Sequence, residues 1–256
     1  REAEAYHLPR AVHFDDEIMR TFQEIGLAEE IEPITYHGGG THFVDADGKL
    51  IMYWPRREGV GRHDWQSGYI FHQPELEDIL RKHMPERKSV TVRTRSEVFL
   101  VQDEGPHTLV SYEDMTKGKV HHIRAKYVVG CDGGRSLLRR FMETEMEDHG
   151  FHERWLVVDV ILNAPKPELP ELAVQHCNPA RPTTYVRCPG DRRRWEITVL
   201  PEEDSNKIAT PPEVWKLLAD WLTPEEAVLE RATVYTFHSL TARQWRLGRL
   251  MLAGDS

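Results

Sequence analysis

The stretch Tyr127-Val128-Val129-Gly130-Cys131-Asp132-Gly133-Gly134-Arg135-Ser136-Leu137-Leu138 decides how the chain is read. An apolar run enters a glycine-rich turn, after which Leu137, Leu138 and Phe141 follow helical spacing. Strand, glycine turn and helix in succession make a nucleotide-site architecture, because glycine lets backbone amides approach a phosphate at the helix start. Asp132 can hold a ribose hydroxyl, a water or a loop amide there. Ser136 reads as the cap of the helix and not as a nucleophile, since the Gly-x-Ser-x-Gly elbow of a hydrolase is absent. Asp-Gly-Gly also makes ordinary turns, so the rest of the chain must supply the context.

Upstream, Asp15 or Asp16 caps a helix whose apolar residues are Ile18, Met19, Phe22 and Ile25, and Gly26 supplies a left-handed end. Residues 41–45 and 49–54 flank Asp47-Gly48, a pair suited to a tight hairpin. Pro74 opens a second helix with Leu76, Ile79 and Leu80 on one face, and Pro85 closes it. Residues 90–126 alternate in short strand-like runs, with turns at Gly105-Pro106 and Lys117-Gly118. After Gly150, residues 155–160, 183–186 and 195–200 read as strands of a second sheet. A helix over 212–221 and a strand over 232–237 follow.

A chain of 256 residues can bury a substantial core without disulfides. Its three cysteines, Cys131, Cys177 and Cys188, are widely spaced and odd in number, which predicts a reducing, cytoplasmic setting. The net charge of −9 does not attract polyanions, so nucleic acid is not an expected partner. Arg192-Arg193-Arg194 before Trp195 reads as the solvated rim of a strand. No apolar run approaches the about 20 residues that span a bilayer, and no signal pattern opens the chain, so no membrane is expected. The chain starts on Arg1 and stops where a functional loop would follow the 249–256 run, so truncation at both ends is expected.

In this context the turn resembles the Gly-x-Asp-Gly-x-x-Ser-x-x-Arg motif of the FAD-dependent aromatic-ring hydroxylases, the class A flavoprotein monooxygenases. It is met by Gly130, Asp132, Gly133, Ser136 and Arg139. A second signature of that family, a strand followed by Gly-Asp whose aspartate binds the flavin ribityl chain, resembles Leu252-Ala253-Gly254-Asp255. A third is met by Arg10-Ala11, and a fourth, a glutamine opening a helix, by Gln73. Residues 9–17 and 148–159 resemble the branch acting on 3-(3-hydroxyphenyl)propionate and related phenols. The resemblance implies an α/β fold: an incomplete Rossmann-like FAD-binding domain over 1–35, 73–145 and 249–256, interleaved with a mostly antiparallel β-sheet substrate domain over 36–72 and 146–248. The cofactor-binding residues it implies are Arg10, Gln73, Asp132, Gly133, Gly254 and Asp255.

By the same resemblance, NADH or NADPH reduces FAD, and a flavin hydroperoxide formed with O2 hydroxylates a phenolic aromatic acid. The protein orients the ring, assists phenol deprotonation and excludes water. Tyr185, Tyr235 and His238 are the catalytic candidates, and Arg181 or Arg187 could pair with a substrate carboxylate, although packing or exposure is the ordinary role of each. Self-association into a homo-oligomer is left open. The chain departs from the family in lacking the Gly-x-Gly-x-x-Gly turn that binds the ADP half of FAD and the loop after Gly-Asp. Alone it is expected to bind FAD poorly. Two rival readings compete: a metal site from His149, His152 and Glu153 or from His121-His122, which lacks a full ligand set, and an inactive fragment acting as a binding module. No metal is expected.

Overall fold

The computed structural model describes residues 4–256; Arg1, expected to lie just beyond the missing turn, is outside the described residues. The described residues form two compact units, one of residues 87–151 and 238–256 with Glu4 and Ala5, the other of residues 6–86 and 152–237. Residues 6–35 and 73–86, grouped by the sequence with the glycine turn, therefore cluster in the second unit.

In the first unit, Ser96–Asp103, Thr108–Asp114 and Lys119–Ala125 form an antiparallel three-stranded sheet. Its two turns fall where Gly105 and Gly118 predict them, and both glycines have positive φ. The sheet begins at Ser96, later than the residue 90 expected from alternation. Val128–Gly130 then pairs in parallel with Leu250–Leu252, residues 122 apart in sequence, and Arg246–Leu247 completes this small sheet. The helix Leu137–Met142 buries Leu138 and Met142 among Val101, Ala242, Leu250 and Leu252. A Cβ on Gly130 would lie 3.0 Å from the Leu138 Cβ, so glycine is what lets strand and helix close on each other.

The second unit holds most of a seven-stranded sheet in the order Ala227–Ala242, Met146–Leu162, Arg192–Thr198, Thr183–Arg187, Ala173–His176, Gly40–Val44, Leu50–Pro55, with residues 146–151 and 238–242 of its first two strands counted in the first unit. The hairpin around Gly48 and the later strands belong to this one sheet, because the short strand Ala173–His176 pairs in parallel with Gly40–Val44 and joins them. That strand was not anticipated: four residues between proline-rich stretches carry too little periodicity to read. One face of the sheet packs Leu156, Val158, Trp195, Ile197 and Tyr185 against Val214, Leu218 and Leu222 from the helix Pro211–Leu217 and the turn after it. A second cluster holds Phe14, Met19, Ile31, Tyr69 and Leu76 together.

Local signals placed the helix starts well. Asp15 caps Asp16–Glu24 by accepting from the Ile18 amide at 3.1 Å, and Gly26 adopts φ +75° just beyond its end. The apolar face of that helix is narrower than its spacing suggests: Met19 is buried and Phe22 half-buried, whereas Ile18 and Ile25 are exposed. Pro74 sits in the first turn of Gln73–His83, with a 3-10 turn containing Pro85 following. The α/β class read from the sequence holds, with a parallel strand pair and helix at the glycine turn and a mostly antiparallel large sheet.

Candidate functional site

The glycine turn is built from two chain segments. Gly133 (φ +77°) and Gly254 (φ +66°) take left-handed backbone that other residues rarely adopt, and a Cβ on either would meet no atom within 4 Å. The Gly133 amide donates to the Ser256 hydroxyl at 3.2 Å, tying the turn to the end of the second segment. The Asp132 carboxylate points inward: it accepts from the Ser136 hydroxyl at 2.6 Å and from the Leu137 and Leu138 amides at 2.6 and 3.2 Å. Burial opposes its charge, but these hydrogen bonds outweigh burial and hold its carboxyl below the usual range. Asp132 thus bonds the first amides of its own helix and the Ser136 hydroxyl, in place of a loop amide. Ser136 caps the helix as expected, accepting from the Arg139 amide, and Arg139 donates to the Gly134 carbonyl. Asp255 is exposed beside this open turn. A cleft of about 820 Å³ adjoins it, lined by Val98, Phe99, Val129, Cys131, Arg135 and Arg140 among others.

In the second unit the segment Pro9-Arg10-Ala11 is clamped from both sides. The Gln73 side-chain oxygen accepts from the Arg10 and Ala11 amides, both at 2.9 Å, and its nitrogen donates to Glu77. On the other side Arg194 donates to the Pro9 and Arg10 carbonyls at 3.0 and 3.1 Å. Arg194 is itself held by Asp159, Nε to Oδ1 at 2.7 Å, and the second Asp159 oxygen pairs with Arg231. All three side chains are almost fully buried. The Arg10 side chain is left exposed, near the Tyr6 ring.

This cluster corrects the reading of the arginine run as a solvated rim. Strand alternation turns Arg194 inward opposite Asp159 on the neighbouring strand, where each neutralises the other's charge. The clue in the sequence was Asp159 itself, a lone carboxylate in the apolar run 155–160 that burial obliges to find a cation. Glu196 lies on the same face, 3.9 Å from Arg194 and a third exposed, and burial pushes its carboxyl above the ordinary range.

The sequence matches the family described as FAD binding domain over residues 1–256. The chain belongs to this FAD-binding family. It is 38% identical over 252 residues to a protein of Rhodococcus jostii (strain RHA1) named probable NADH-specific resorcinol 4-hydroxylase, covering 98% of this chain and 47% of that one. It is 32% identical over 260 residues to 3-(3-hydroxy-phenyl)propionate/3-hydroxycinnamic acid hydroxylase 2 of Burkholderia vietnamiensis (strain G4 / LMG 22486), covering 100% of this chain and 46% of that one. The chain thus spans about half the length of the curated relatives it matches. Its fold superposes with TM-score 0.85 on the flavin-dependent monooxygenase PieE, crystallised with FAD and substrate, at 16% identity, covering 100% of this chain and 48% of PieE.

As a member of the FAD-binding family, the chain has residues that suit the cofactor. The backbone at Gly133 and Gly254 faces open space, and the exposed Asp255 carboxylate beside it is a hydrogen-bond acceptor. The substrate-side candidates fare differently. Tyr185 is fully buried on the face covered by the helix, edge-on to Trp195 at 5.1 Å, opposite to the face of Asp159 and Arg194. Burial pushes its phenol up to about 12, far from the range of a proton relay near neutrality. Tyr235 accepts from Arg231 at 3.4 Å, and His238 is exposed in the first unit. Arg181 forks onto Glu203 at 2.6 and 2.9 Å, and Arg187 pairs with Glu171 while stacking over Tyr36 at 4.4 Å, so both are already matched to carboxylates. Among the described residues no group of His, Cys, Asp or Glu converges to hold a metal ion, and no helix is long and apolar enough to cross a membrane.

Proposed function

We propose that the complete protein is an FAD-dependent aromatic monooxygenase acting on an uncharged phenol of the resorcinol type, with NADH as reductant. FAD, when bound, supplies the electron and oxygen chemistry. Asp255 holds a hydroxyl of its ribityl chain, Gly133 and Gly254 let that chain approach the backbone, and Asp132 and Gln73 shape the segments that present Gly133 and Arg10. The observation that carries the substrate reading is that Arg181 and Arg187 already have carboxylate partners, which leaves neither to balance a charged side chain on the phenol. The resorcinol 4-hydroxylase relative, at 38% identity, supports the same choice. The likeness of residues 148–159 to the hydroxyphenylpropionate branch, together with the 32% identical relative, favours a phenolic acid as the second reading.

Resorcinol and 3-(3-hydroxyphenyl)propionate, each added to the FAD-loaded complete protein, distinguish these readings through NADH oxidation, oxygen uptake and product formation, with peroxide measured separately. Resorcinol should give the faster coupled turnover. Faster coupled turnover on the acid would sink the substrate reading, and no stimulation by any phenol would sink the activity.

In this reading the proton acceptor for the phenol is Glu196, in place of the buried Tyr185. The phenol O–H bond breaks, the proton goes to a Glu196 carboxylate oxygen, and the electron pair stays on the phenolate, which activates the ring carbon. A carboxyl raised by burial is a better match to that task than an exposed one. Glu196→Gln should lower kcat and remove the acidic limb of its pH profile while leaving FAD affinity unchanged; an unaltered profile means that the base lies elsewhere. The same shift links to stability. Because folding raises this pKa, the Glu196 contribution is fully present below the ordinary carboxylate range and is lost as pH rises through the folded value, and the Gln variant should lack that slope.

A further inference from the structure

In the first unit a cavity of about 380 Å³ opens at the end of the antiparallel sheet where Ser96, Asp114 and Lys119 stand side by side. Its lining is cationic: Arg93 and Arg95 come from the segment entering the sheet, Lys117 from the turn after Asp114, and His121 from the third strand. Asp114 is the one acid among the described residues that line it. The Thr116 hydroxyl and amide donate to its carboxylate at 2.5 and 2.9 Å and hold it below the ordinary range, so it stays charged and fixes the turn that carries Lys117. Lys117 Nζ lies 3.9 Å from Asp114, beyond hydrogen-bond length, on a side chain that is 70% exposed. Arg95 has φ +50°, and its carbonyl accepts from the Met115 amide at 2.8 Å. Left-handed backbone suits glycine and disfavours a residue with a Cβ, so an arginine stands here against the local preference. The Arg93 guanidinium lies 5.8 Å from the centre of the buried Tyr112 ring, and the His121 ring, opposite Tyr112 in register, stacks on it at 5.4 Å. One buried ring therefore positions both the guanidinium and the imidazole.

We propose that this cavity binds a phosphate group, with Arg93, Arg95 and Lys117 on its oxygens. Three permanent cations against one carboxylate leave an excess of two charges, which matches a phosphate dianion. Guanidinium groups fork onto phosphate oxygens and an ammonium adds a compact point charge, so the three donors complement one another. The phosphate is either free or carried by a nucleotide. The exposed His121 ring lines the same cavity, where a nucleotide base would stack on it and a free phosphate would leave it unused. The cavity shares only Ser96 with the cleft beside the glycine turn, so the site is separate from the one assigned to FAD and does not depend on the activity proposed above.

The test is calorimetric titration of the complete protein, loaded with FAD so that the cofactor site is filled, with inorganic phosphate and with AMP. At least one of them should bind, and more weakly as salt is added. Arg93→Gln and Arg95→Gln should each weaken binding roughly tenfold, and the two together should remove it. Both side chains are exposed, so FAD content and thermal unfolding should stay as they were. AMP binding roughly tenfold tighter than inorganic phosphate, with the advantage lost in His121→Ala, assigns the site to a nucleotide. Equal affinities, unaltered by His121→Ala, assign it to the free anion. Absence of binding by both ligands at millimolar concentration overturns the proposal, as does binding that persists unchanged when Arg93 and Arg95 are both replaced.

Discussion

Replacing Asp159 with Ala is expected to cost about 3–5 kcal/mol of folding stability, the range for removing one member of a buried ion pair. The carboxylate pairs with two guanidinium groups, Arg194 and Arg231, whose side chains are each 2% exposed. Without it both charges remain in the interior, and Arg194 keeps only backbone carbonyls and the more distant Glu196 as partners. Urea unfolding of the complete protein measures the loss. The exposed pair Lys216–Glu213 is the comparison, since surface pairs of this kind contribute about 0–1 kcal/mol. An Asp159→Ala loss no larger than that of Lys216→Ala would mean that water reaches the cluster and that Arg194 does not clamp Pro9-Arg10-Ala11.

Asp255→Ala is expected to weaken FAD binding roughly 10- to 150-fold, since a hydrogen bond to a charged group contributes about 1.5–3 kcal/mol. Asp255 is exposed beside the open turn, so its removal should leave unfolding unchanged. Asp132→Ala should show the opposite balance. Its carboxylate holds Ser136 and two helix amides, so the variant should lose about 0.5–2 kcal/mol of stability, as for a lost helix cap, and lose FAD only as the turn loosens. Flavin fluorescence titration and thermal unfolding separate the two effects. Unchanged FAD affinity in Asp255→Ala would remove Asp255 from the cofactor site.

The two aspartates differ in a way that motif spacing does not express. Both were assigned from motif spacing, and both sit at the turn. Spacing does not say which way a carboxylate points, and Asp132 turns back to its own helix because the nearest unpaired donors are the Leu137 and Leu138 amides. The exposed Ile18 and the Arg192-Arg193-Arg194 run have the same cause. Periodicity assigns a side chain to a face, while the packing of other segments decides whether that face is covered. Arg194 is buried because residues 9 and 10, nearly two hundred positions away, lie against it.

Features that depend on a few neighbouring residues were therefore legible without coordinates: the Asp15 and Ser136 caps, the hairpin around Gly48, the strand, glycine turn and helix at Gly130, and through its motifs the membership in the FAD-binding family. Caps and tight turns are short-range hydrogen bonds and backbone preferences, so the residues that make them are written side by side. Tertiary structure alone decided that Tyr185 faces the core while Glu196 faces Arg194, and that Gln73 and Arg194 grip one peptide segment from opposite sides. Each of these depends on which distant strand or segment becomes a neighbour, and burial and charge pairing settle that only when the whole chain packs.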